Sequence, residues 1–96
     1  MKKIPAQAKP YKRPPEFTEQ TVPAGLVGRH NTMQEVWAMI HVVEGRLLYR
    51  ILEPEREEHL LDPTHPGIVE PQTPHQVQIV GPIRFYVEFH REPLPE

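Results

Sequence analysis

Thirteen prolines in 96 residues restrict this chain more than any other feature of its sequence. Each fixes φ at about −65° and removes a backbone donor, so an interior proline breaks a helix and interrupts a strand ladder. The compatible arrangement is a series of short extended segments with prolines between them. Proline and glycine together make 18 residues, below the share that marks a disordered chain. The 5 glycines have no period, which excludes a collagen helix. An apolar fraction of 38% is low but supports one small core, and a chain of this length makes a single domain.

Residues 1–16 are polar and proline-studded and read as an extended N-terminal arm. Residues 17–22 alternate weakly, as a first short strand does. Pro23-Ala24-Gly25-Leu26-Val27-Gly28 is a turn into a short apolar segment that ends at Arg29-His30. The clearest strand signal lies at residues 35–43. There Val36, Ala38, Ile40 and Val42 point one way, and Trp37, Met39, His41 and Val43 the other. Both sets are largely apolar, which predicts cover on both faces. Glu44-Gly45 then predicts a two-residue hairpin turn, with a return along residues 46–52 that places Leu47, Tyr49 and Ile51 together. Residues 53–58 read as a charged loop, 59–62 as a brief strand and 63–67 as a turn. Residues 68–70 and 75–80 are strands flanking Pro71-Gln72-Thr73-Pro74. Gly81-Pro82 is a further turn, and residues 83–89 form the last strand, with Ile83, Phe85, Val87 and Phe89 in phase. Regularly spaced short strands with turn signals between them predict an all-β sandwich or barrel. Its extent is residues 17–91, with 92–96 as a C-terminal tail.

The net charge of −2 is unevenly placed. Lys2, Lys3, Lys9, Lys12 and Arg13 give the first 13 residues +5, against −7 for the other 83. Five cations on a mobile arm bind phosphate weakly, so a solvated lead-in is expected and no nucleic-acid partner. The absence of cysteine excludes a disulfide framework and thiolate chemistry. No apolar run approaches the ~18 residues of a membrane span, and residues 1–13 lack the apolar stretch of a signal peptide. The expected location is the cytoplasm, without a membrane partner.

The run Val42-Val43-Glu44-Gly45-Arg46-Leu47, followed by Pro66-Gly67-Ile68-Val69-Glu70-Pro71-Gln72-Thr73-Pro74-His75-Gln76-Val77, resembles a small cupin. Tyr11-Lys12, Phe17-Thr18-Glu19, Thr21-Val22-Pro23-Ala24-Gly25-Leu26, His30-Asn31-Thr32, Val36-Trp37 and Arg84-Phe85-Tyr86-Val87-Glu88-Phe89 narrow the likeness to the TehB/YeaR-like cupins. That family includes the N-terminal domain of the tellurite-resistance methyltransferase and many single-domain proteins. The resemblance implies a cupin-type double-stranded β-helix, a jelly-roll barrel, paired as a homodimer. It does not imply methyl transfer or S-adenosylmethionine binding here, because the chain has no G-x-G segment after a strand.

The sequence departs from the broad cupin pattern. Counting back from Gly45, the motif's Glu position falls on Ala38 and its paired His positions fall among residues 31–34. The usual three-His, one-Glu set is therefore missing. In the second motif only His75 fits.

Two readings stand for His75: a ligand pointing into the barrel, or a core histidine satisfied by a carbonyl or carboxylate. Neutral imidazole suits Zn²⁺, Fe²⁺ or Ni²⁺. His30, in the family string H-N-T, is either a second ligand or a loop residue. Glu88 shares a face with Arg84, Tyr86 and His90. If that polar face lines the barrel, Glu88 completes a two-His, one-carboxylate metal set. If Ile83, Phe85, Val87 and Phe89 fill the barrel, Glu88 lies outside, beside an arginine. His41, His59, His65 and His90 read as structural or solvated, and Glu70 as a surface residue or a hydrogen-bond partner of a ligating imidazole. Trp37 with Met39 reads as a pocket wall or as core. No catalytic relay can be argued from spacing. The expected function is binding of a small molecule in the barrel, through a divalent metal at His30, His75 and Glu88, with a link to tellurite or stress resistance implied by the resemblance. The rival is a dimerisation module whose histidines are structural.

Overall fold

The structure, a computed structural model, describes residues 1–28 and 34–93. It is all-β apart from one helical turn. The elements are β1 (Lys9–Lys12), β2 (Phe17–Thr18), α1 (Ala24–Val27), β3 (Trp37–Ile51), β4 (Glu57–Leu61), β5 (Gly67–Val69) and β6 (His75–Arg91). All pairings are antiparallel and belong to one sheet in the order β1-β6-β3-β4, with β2 also on β6 and β5 also on β3. No helix among the described residues is long and apolar enough to cross a membrane.

The frame is a long ribbon of β3 and β6, paired from Ile51↔His75 to Trp37↔His90. The hairpin expected at Glu44-Gly45 does not form, nor does the turn at Gly81-Pro82. Each strand runs straight through, because both halves of β3 find their partner in β6 rather than in each other. The ribbon bends instead. Val43 is an extra residue opposite the step from Phe85 to Arg84, and beyond Gly45↔Ile83 β6 spends four residues against two on β3. Such bulges bend a strand and re-aim its side chains. Gly45 takes φ +86° at this corner, where an added Cβ would overlap the Pro82 carbonyl oxygen. Glycine is the residue that tolerates both demands.

The bulge also fixes what is buried. Before it Ala38, Ile40 and Val42 face inward; after it Leu47, Tyr49 and Ile51 do. The phases expected from the sequence are correct, and a bulge rather than a turn makes the switch between them. On β6 the inward set is His75, Val77, Ile83, Phe85 and Val87. Leu61 from β4 and Val69 from β5 complete the core. Tyr49 is fully buried and donates its hydroxyl to the Ile68 carbonyl at 3.0 Å. Burial first, and the Glu70 and Glu57 charges second, push its phenol far above the ordinary range.

β1 lies inside the stretch read as the arm. Lys9↔Arg91 and Pro10↔His90 tie it to the end of β6, and the Arg91 guanidinium sits 4.2 Å from the Tyr11 ring centroid. All four β1 residues are exposed, so alternation of apolar residues could not announce this strand.

Candidate functional site

The inner face of the bent ribbon lines a cavity of about 240 Å³ that is partly open to solvent. Ala38 and Ile40 of β3, Val69 of β5 and Val77, Phe85 and Val87 of β6 form its floor. Pro14, Phe17, Pro23 and Leu26 line it from the N-terminal side. Among the described residues His75 supplies the one polar side chain of this lining.

His75 is held from two directions. Pro74 restricts Thr73 to extended backbone, and Gln72 turns the chain at φ +52°. The Thr73 carbonyl then accepts a hydrogen bond from His75 Nδ1 at 2.8 Å. A carbonyl can only accept, so Nδ1 carries a proton. The ring stands edge-on to Tyr49, 6.0 Å between centroids, and the residue is 4% exposed.

Glu88 is not on this cavity. Phe85, Val87 and Phe89 line it, and strand alternation turns Tyr86, Glu88 and His90 to the other face. The physical reason is the apolar content of that set, which gains from leaving water where a carboxylate loses. Glu88 Oε1 accepts from His90 Nε2 at 2.8 Å and lies 3.9 Å from His41 Nε2. His41 stacks on Tyr86 at 4.7 Å, and the Arg13 guanidinium lies 3.8 Å from the centroid of that ring. His30 lies outside the described residues. Among those described, no three His, Asp or Glu side chains are grouped to hold a metal ion. His75 and Glu88 lie on opposite faces of β6.

The remaining candidates are dispersed. Glu70 pairs with Lys2 at 3.5 Å. His59 meets Glu57 at 3.2 Å on β4. His65 closes the Asp62-Pro63-Thr64 turn at 2.9 Å from Asp62 Oδ1, and with Thr64 it holds the Asp62 carboxyl down at about 2. Trp37 and Met39 do not line the cavity; Trp37 flanks a groove beside Tyr11 and Lys12. Sequence reasoning missed the walls supplied by Pro14, Phe17 and Leu26. Leu26 stands in the Thr21-Val22-Pro23-Ala24-Gly25-Leu26 string and Phe17 in Phe17-Thr18-Glu19, both of which carried the resemblance; Pro14 stands in neither.

Comparison with known proteins agrees with this architecture. A crystal structure of an E. coli (strain K12) protein superposes with TM-score 0.88 at 21% identity, over 98% of this chain and 100% of that one; it shares the fold. The crystal structure of TehB from Haemophilus influenzae superposes with TM-score 0.83 at 26% identity, over 91% of this chain and 32% of that one. The Haemophilus influenzae protein named probable S-adenosyl-L-methionine-dependent methyltransferase TehB is 32% identical over 75 residues, 74% of this chain. The chain spans 26% of that relative's length. Residues 12–87 match the TehB-like domain. With most of its length inside that match, the chain belongs to the TehB-like domain family.

Proposed function

We propose that this protein is a cupin-type jelly roll whose cavity binds a small, mainly apolar molecule, with His75 as its polar contact. One observation carries the reading: an apolar cavity on the inner face of the sheet whose described lining has a single polar side chain, oriented by its Nδ1 hydrogen bond to the Thr73 carbonyl. Binding pockets are commonly of this kind, mostly apolar with a few placed polar groups. The role in tellurite or related stress that the family resemblance implies would then be exercised through ligand binding and not through methyl transfer.

Phenol and toluene are suitable probes, titrated against the full chain and followed by backbone NMR. Both shift the signals of Ala38, Val77 and Val87, with phenol the tighter at a Kd of about 1 mM or below. Ala38→Leu fills the cavity and abolishes both; His75→Leu erases the preference for phenol. Absence of any shift in those cavity residues at several times that concentration overturns the reading.

A second reading, a homodimer, is favoured by the outward face of the sheet. Leu48 stands between Leu60 of β4 and Gln78 of β6, and Leu60 and Val80 are 50% and 49% exposed. A sedimentation mass of 11.2 kDa at micromolar concentration refutes it.

A further inference from the structure

One wall of the cavity is not made of sheet. β1 leaves β6 at the Lys12↔Phe89 rung, and β2 joins it at Phe17↔Phe85. Residues 13–16 cross between these rungs, along the edge of β6 at residues 86–88. Pro14 and Pro15 have no N–H, so this stretch cannot complete a ladder there. Side chains hold it instead. The Arg13 guanidinium lies 3.8 Å from the centroid of the Tyr86 ring, and Glu16 Oε1 lies 3.3 Å from Arg84 Nε. Pro14, between these two anchors, and Phe17, just beyond them, line the cavity.

The anchoring is weak by its nature. Glu16 and Arg84 are 39% and 45% exposed, and exposed ion pairs and cation–π contacts add little to stability. The rungs on either side belong to strands, and the ribbon of β3 and β6 does not depend on the strap. We propose that residues 13–16 are the gate of the cavity, swinging away from β6 between two fixed rungs while the ribbon stays closed. The purpose of the gate rests on the ligand-binding reading; its motion does not.

The test uses the full chain and the Arg13→Ala/Glu16→Ala double variant, which removes both anchors. Toluene exchange, measured by NMR line shape, should show association and dissociation each faster by about fivefold, with Kd changed less than about twofold. Unchanged rates in a variant that still binds toluene overturn the gate. If the wild type does not bind toluene, the ligand-binding reading fails, and amide hydrogen exchange decides the gate alone. In the double variant those amides of residues 86–88 that point away from β3, toward the strap, should then exchange about fivefold faster, with those bonded to β3 and those of residues 47–51 unchanged. Uniform acceleration across β6, or none, overturns it.

Discussion

His41 shows how the fold sets the charge of a single residue. Its Nε2 is buried without a hydrogen-bond partner, and Tyr86 stacks against the ring. Burial is the largest influence and lowers its pKa below 6.5; Glu88 opposes this, while Arg13 and His90 reinforce it. A histidine depressed in the folded state binds fewer protons there than in the unfolded chain. Stability is therefore intact above pH 6.5 and falls as pH drops from there toward the lowered folded value. Urea unfolding of wild type and His41→Phe at pH 7.5 and 5.5 checks this: the variant should lose less stability over that interval. Equal losses would show that the other histidines carry the effect. The contrast between His75 and Glu88 is also set at this scale. Both are polar residues on one strand, and the sequence left open which face of that strand lines the barrel. The preference of Phe85 and Val87 for the interior decides it, and one step of alternation separates the two residues for good.

At the scale of elements, the phases of β3 and β6 were legible and their continuity was not. Glycine after glutamate fits a tight hairpin as well as it fits a corner. Only pairing with a distant partner distinguishes the two, and a local pattern does not contain it. The corner itself makes a sharp prediction. Gly45→Ala places a methyl group against the Pro82 carbonyl at a left-handed φ and should destabilise by about 2 kcal/mol or more. Gly81→Ala, one residue from Pro82, meets nothing within 4 Å and should change stability by no more than about 0.5 kcal/mol. Urea midpoints for the pair measure the difference. Similar losses in both would mean that the bend tolerates a side chain. β1 was illegible for a different reason: an exposed edge strand carrying Lys9 and Lys12 gains nothing from apolar alternation, and its lysines suit an edge that must not recruit another strand.

For the whole molecule, the prolines gave the class and the topology gave the order. Between the two members of the central ribbon lie residues 52–74, so the largest pairing in the protein is non-local. Refolding should accordingly run in about milliseconds to seconds, as stopped-flow fluorescence of Trp37 can measure; a microsecond phase with full amplitude would contradict it. The Lys9↔Arg91 rung has one further consequence. Because β1 begins beside the end of β6, the first and last strands are neighbours, about 5 Å apart in the hydrogen-bonding direction, and residues 1–8 lead away from that rung to Met1 and Lys2 beside Ile68 and Glu70. Removing residues 1–8 would therefore uncover Ile68 and Glu70 while leaving the β1 rungs on β6 in place.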